Sequence, residues 1–67
     1  MQTAINNRTR ILVIDDDREL SELLKHTLGS TLENTQVLVT HDPYEAMNAM
    51  TERSFDLILL DWNLPGL

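Results

Sequence analysis

Four aspartates are placed where they could do chemistry. Asp15, Asp16 and Asp17 close one apolar run, and Asp61 closes another, followed by Trp62, Asn63 and the turn-prone Leu64-Pro65-Gly66. Carboxylates gathered at one edge repel each other and destabilise the fold unless a cation relieves them. A hard divalent cation is the natural relief. Mg²⁺ takes oxygen ligands and keeps several waters, so two or three carboxylates and a carbonyl suffice, and Mn²⁺ would substitute. With the charge relieved, one carboxylate becomes usable as a nucleophile toward phosphorus, because carboxylates can carry an aspartyl-phosphate.

These residues can meet only if the intervening chain brings two strand ends together. Ile11-Leu12-Val13-Ile14 is uninterrupted and β-branched, as suits a strand covered on both faces. From Arg18, Leu20, Leu23, Leu24 and Leu28 fall at helical spacing, with Glu19, Glu22, Lys25 and His26 facing elsewhere; the best stop lies at Gly29-Ser30. Val37-Leu38-Val39 is a second strand. Asp42-Pro43-Tyr44-Glu45 then opens a second helix with a cap, a proline at the first position and a glutamate able to complete a capping box. Its narrow apolar face is Ala46, Met47, Ala49 and Met50, the methionines read as core packing. Phe55 to Leu60 is the third strand, with Asp56 a turn or solvent residue.

The order strand, helix, strand, helix, strand implies an α/β fold with a parallel sheet and right-handed crossovers. Helices on opposite faces give strand order 2-1-3, half of a flavodoxin-like doubly wound sheet. The carboxyl ends of the first and third strands then lie side by side, where open α/β sheets bind ligands.

The chain has 67 residues, no cysteine, 42% hydrophobic residues and a formal net charge of -6. A chain this small is marginal without a staple, and disulfides and thiolate zinc sites are excluded. The five basic residues, Arg8, Arg10, Arg18, Lys25 and Arg53, form no stripe for phosphates, which argues against nucleic-acid binding. No window reaches the roughly 20 apolar residues of a membrane helix, and the polar opening lacks a secretory core. The expected setting is the cytoplasm, with residues 1–9 as a flexible lead and 10–67 as the domain. His26 and His41 read as surface histidines, and Trp62 as either a cover for the site or a loop aromatic.

Three segments in register carry a family resemblance: Ile11 to Asp17, Asp42 to Met47, and Phe55 to Gly66. Together they resemble the front half of a receiver domain of bacterial two-component response regulators, and Asp61-Trp62-Asn63 is similar to the chemotaxis regulator. The resemblance implies Asp61 as phosphoacceptor, Asp15 and Asp16 as the acidic pair holding Mg²⁺, and a backbone carbonyl from Asn63. Asp16 would be the more direct ligand and Asp15 would act partly through water. It implies a sensor histidine kinase as partner. Receiver domains are about twice this long, with two further strand and helix units, so a truncated module is expected, without the phosphoryl-sensing Ser or Thr, the pairing Lys and the aromatic switch residue. Thr40 stands where the family has a small Ala, and Pro43 where it often has Gly.

Two other readings follow from the same residues. In an aspartate-nucleophile phosphatase of the haloacid dehalogenase type, Asp15 would attack and Asp17 would act as general acid. That family continues with Gly and Thr where this chain has Arg18 and Glu19, and it leaves Asp61-Trp62-Asn63 without a role. Alternatively, the chain is a self-assembling α/β fragment. Under either the receiver or the fragment reading, the third strand is an apolar edge that should pair with a second copy.

Overall fold

The computed structural model describes residues 8–61. Trp62, Asn63 and the Leu64-Pro65-Gly66 turn lie outside the described residues, as do residues 1–7 of the expected lead. The elements are β1 (Thr9–Ile14), α1 (Arg18–Thr31), β2 (Thr35–Thr40), α2 (Pro43–Glu52) and β3 (Leu57–Leu60). All pairing is parallel, in the order β2-β1-β3, the half of a flavodoxin-like sheet expected from the alternation. β1 opens at Thr9, opposite Thr35, so the sheet begins within the segment read as lead.

The continuous apolar run is continuous because β1 is buried on both faces: Ile11, Leu12, Val13 and Ile14 are all inaccessible. Leu12 and Ile14 point toward α2, where they pack with Ala46, Ala49, Leu38 and Phe55. The alternate residues, Ile11 and Val13, face the other layer, occupied by α1.

Each helix sits differently from its apolar periodicity. In α1 the fully buried residue is Ser21, flanked by half-buried Leu24 and Leu28, while Leu20 and Leu23 are exposed. Ser21 can be buried because its hydroxyl donates to the Arg18 carbonyl at 3.1 Å, which satisfies the polar group within the helix. In α2 only the two alanines are buried; Met47 is 60% and Met50 42% exposed, so the methionines are not core. Small side chains let the short helix lie close to the sheet, and the longer ones stay on its flank.

The punctuation also differs. Gly29 does not end α1, which runs to Thr31; the left-handed residue that returns the chain to the sheet is Asn34, with φ 55, whose carbonyl accepts the Thr9 amide at 2.9 Å. Asn tolerates that conformation better than other non-glycine residues. The third strand is shorter than its apolar run. Phe55 precedes it and joins the α2 core, and Asp56 clamps the sheet by donating its amide to the Arg10 carbonyl while its carboxylate accepts the Arg10 amide, both at 2.8 Å.

Among the described residues, β3 is bonded to β1 alone and neither helix packs against it. Charge is segregated along the strand direction. Asp15, Asp16, Asp17, Glu19, Asp42, Glu45 and Asp61 follow the carboxyl ends of the strands, with Arg18 their one basic companion, so that edge carries the whole formal charge of -6. The remaining carboxylates, Glu22, Glu33, Glu52 and Asp56, are balanced by Arg8, Arg10, Lys25 and Arg53.

Candidate functional site

The site is assembled by backbone bonds across the three strand ends. Asp15 donates its amide to the Thr40 carbonyl at 3.0 Å, and Asp61 donates its amide to the Ile14 carbonyl at 2.9 Å. The two aspartates are thereby held on adjacent strands. The Thr40 hydroxyl, buried, donates to the Val13 carbonyl at 3.0 Å. This accounts for a hydroxyl where a small apolar residue was expected: its polar atom is absorbed by the neighbouring strand.

The three consecutive aspartates have separate duties. Asp17 is the N-cap of α1, its Oδ1 accepting the Leu20 amide at 3.0 Å. Asp15 is buried, at 8% exposure, and its Oδ1 accepts the Asp17 amide at 2.9 Å, which fixes the side chain. Asp16, between them, is exposed. One carboxylate oxygen from each of Asp15, Asp16 and Asp61 lies within 4.8 Å of the others, and Asp17 is not among them. Each of the three could offer one oxygen to a hard divalent cation. An all-oxygen anionic donor set suits a hard cation and no soft one. Beside it, a cleft of about 150 Å³ is lined by Val13, Ile14, Asp15, Leu24, Leu59, Leu60 and Asp61. It has apolar walls and the two acidic groups.

The neighbouring strand end is built by α2. The Asp42 Oδ1 accepts the Tyr44 and Glu45 amides at 2.8 and 2.9 Å, with Pro43 opening the helix. Glu45 does not close a reciprocal capping box; its carboxylate accepts the amide of His41, the residue before the cap, at 2.6 Å. His41 is therefore not a surface histidine: 19% of its side chain is exposed, Nδ1 lies 3.7 Å from Glu45, and Nε2 is buried without a hydrogen-bond partner in the structure. No spacing signal pointed to this, because His41 precedes a cap and not an apolar stripe. His26 is exposed on α1, as expected.

A parallel α/β sheet with converging carboxylates at the ends of β1 and β3 defines a doubly wound protein with an acidic site at the carboxyl edge. The family model for the response regulator receiver domain matches residues 11–67. The chain is 48% identical over 56 residues to the transcriptional regulatory protein CpxR of Klebsiella pneumoniae, covering 84% of this chain and 23% of that protein. It is 45% identical to CpxR of Escherichia coli K12 over the same shares. It is 43% identical over 60 residues to the DNA-binding response regulator MtrA of Mycolicibacterium paratuberculosis, covering 90% of this chain and 26% of that protein. No solved structure matches it significantly.

The chain belongs to the response regulator receiver domain family, and it spans about a quarter of the length of the curated relatives it matches. Receiver domains are in general signalling modules and not enzymes, and in general they bind Mg²⁺ at an acidic pocket. The match supports the receiver reading over the phosphatase one. No helix among the described residues is long and apolar enough to cross a membrane.

Proposed function

We propose that this chain is the phosphoacceptor receiver module of a two-component phosphorelay, with Asp61 the residue that takes the phosphoryl group and a sensor histidine kinase the donor. The observation that carries this is the convergence of Asp15, Asp16 and Asp61, with Asp17 withdrawn from the cluster as a cap. In the transfer, an Asp61 carboxylate oxygen forms the new bond to phosphorus as the phosphorus–nitrogen bond of the phosphohistidine breaks. The bonding pair leaves with the imidazole nitrogen, and the product on Asp61 is an acyl phosphate.

Asp15, Asp16 and Asp61 would hold Mg²⁺, or Mn²⁺ in its place, with a backbone carbonyl from Asn63. Bound there, the cation offsets negative charge on the transferring oxygens. Asp15, buried and fixed by the Asp17 amide, orients the site, while exposed Asp16 meets the solvent side. The bond from the Asp61 amide to Ile14 fixes the acceptor's backbone against β1.

As a free polypeptide of 67 residues the module is expected to bind metal but to switch poorly. Lys25 is exposed on α1 and does not supply the lysine that the family resemblance calls for, which these 67 residues alone would lack. Without it, much of the electrostatic support for the transferring oxygens is absent. The setting is the cytoplasm, and the nucleic-acid and transcriptional roles in the relatives' names would belong to other parts of a longer protein. Self-association through β3 completes the reading.

The test is a Mg²⁺ titration followed by emission of Trp62, the single tryptophan and the neighbour of Asp61. A saturable change is expected in the native chain and none in Asp16→Ala. Acetyl phosphate with intact-mass detection should show little stable adduct. An unresponsive Trp62 together with no calorimetric binding would overturn the metal site, and a stable adduct that survives Asp61→Asn would overturn the acceptor assignment.

A further inference from the structure

We infer that a second copy of this chain pairs antiparallel with the outer edge of β2, with Val37 facing Val37 of that copy across a two-fold axis. The flavodoxin-like order 2-1-3-4-5 places further strands beyond β3 and leaves β2 outermost, so this edge belongs to the fold whatever follows Leu67. It is a different edge from that of β3, whose outer side a fourth strand takes in the same order. Thr9 donates its amide to the Asn34 carbonyl and Asp15 donates its own to the Thr40 carbonyl, with Ile11 opposite Val37. In a parallel ladder that pattern turns the backbone groups of Gln36, Leu38 and Thr40 toward β1 and those of Thr35, Val37 and Val39 outward.

The outward side has none of the devices that keep sheet edges apart. Thr35 to Thr40 contains no charge, proline or glycine, and Thr35, Val37, Val39 and Thr40 are β-branched. Its pairing with β1 runs from end to end without a bulge. The helices do not roof it over: Gln36 is exposed and Thr35, Val37, Leu38 and Val39 are half-buried, whereas Ile11 to Ile14 of β1 are inaccessible.

A two-fold axis perpendicular to the sheet sets only residues of like orientation opposite each other, so it passes through a residue pair and not between residues. With Val37 on the axis, Thr35 meets Val39 of the second copy and Val39 meets its Thr35. All three outward amides and carbonyls of each copy are then used, giving six bonds. Centring on Gln36 or on Leu38 uses only two of the three outward residues within β2, giving four.

The flank of α1 suits the same approach. Leu24 lines the cleft with Leu59 and Leu60, so its side of the helix looks toward β3. Arg18, Glu22, Lys25 and Gly29 lie about 100–160° away around the helix and look past β2. A Cβ added at Gly29 meets nothing within 4 Å. In the two-fold pair this flank faces its own copy running the other way, carries both signs of charge, and has a glycine where the helices come near. A copy related by translation would set two acidic carboxyl edges side by side, whereas the antiparallel one sets each against the end where Arg8, Arg10 and Arg53 offset Glu33, Glu52 and Asp56. One strand edge and a helix flank bury less than the roughly 800 Å² per partner of a standard interface, so the dimer is weak and forms as concentration rises.

Hydrogen exchange of the β2 amides is the test. At low concentration those of Thr35, Val37 and Val39 should exchange rapidly while those of Gln36, Leu38 and Thr40 are protected, and raising the concentration should slow the first three. Sedimentation equilibrium of the native chain should show a monomer–dimer equilibrium over the same range. Val37→Pro removes the two bonds on the axis but none to β1, and proline is tolerated on an edge strand whose amide faces solvent. It should raise the dimer dissociation constant by roughly tenfold or more. Where that variant loses the native circular dichroism, the exchange pattern of the native chain decides alone. A native chain that stays monomeric throughout overturns the proposal, and so does a folded Val37→Pro chain that associates as the native one does. Protection of the three amides that does not vary with concentration also overturns it, because the chain then covers this edge itself. Concentration-dependent protection confined to Ile58 and Leu60 overturns it by placing the contact on β3. None of these readouts uses metal or phosphate, so failure here is distinguishable from failure of the receiver assignment.

Discussion

The Asp15 carboxylate accepts the backbone amide of Asp17 at 2.9 Å, so the buried acidic group of the site is held by the residue that caps α1. Site and helix start share the backbone of Asp17, while the cap itself is made by its side chain.

Asp17→Ala removes the cap from the Leu20 amide but leaves the Asp17 amide in place for Asp15. The expected loss is about 1 kcal/mol of stability, the usual cost of deleting an aspartate cap. Urea denaturation should show it, with Mg²⁺ affinity changed much less than by any substitution of the three converging carboxylates.

Asp16→Asn separates electrostatics from packing. Asp16 is exposed and bears like charge to Asp15 and Asp61, so neutralising it should leave metal-free stability equal or slightly higher. Mg²⁺ affinity should fall by roughly tenfold or more, as expected when a charged oxygen ligand is lost. Parallel thermal melts and calorimetric titrations give the two signs; a loss of stability with unchanged affinity would contradict the site.

Mg²⁺ should raise the melting temperature of the native chain. A ligand at tenfold its dissociation constant stabilises by about 1.4 kcal/mol. The same ionic strength of NaCl should do less, and Asp61→Asn should show only the NaCl-like response.

Gly29→Ala should stabilise. Gly29 lies inside α1, and a Cβ added there meets nothing within 4 Å. Replacing a mid-helix glycine by alanine is worth roughly 0.5–1 kcal/mol. Chemical denaturation of the two chains at matched concentration measures it.

Thr40→Val keeps the shape and removes the buried hydroxyl that donates to the Val13 carbonyl. A loss of about 1 kcal/mol is expected, the net worth of one such bond. Urea denaturation checks it, and the Mg²⁺ response should persist, because Asp15 bonds the Thr40 backbone and not its side chain.

The sheet was legible because its signals are local and redundant: an unbroken apolar β1, two capped helix starts, and the alternation that forces parallel order. Residue exposure was less legible, and for a common reason. Helical spacing shows that Leu20 and Leu23 share a stripe with Leu24 and Leu28, but not which flank of that stripe meets the sheet, and a self-satisfied serine took the central place. Met47 and Met50 were likewise displaced by alanines. The Asp56 clamp on Arg10 joins residues 46 apart, which no local pattern reports. For the site, the spacing of Asp15, Asp16 and Asp61 across two crossovers was sufficient to bring them together, whereas the division of labour with Asp17 depended on which aspartate reached the cap.

The segregation of charge also bears on encounter rates. With the whole formal charge of -6 on the carboxyl edge, the field outside Asp61, the proposed acceptor, is repulsive to anions even before contact. A small phosphodonor, itself anionic, must approach against that field, so added monovalent salt should speed its encounter with Asp61 by screening. A protein donor that presents basic side chains around its phosphohistidine is drawn to the same edge and should be slowed by salt. If Asp61 is the acceptor, this asymmetry would act as a kinetic filter, discriminating between phosphoryl donors of equal chemical potential by the charge of the surface that carries them.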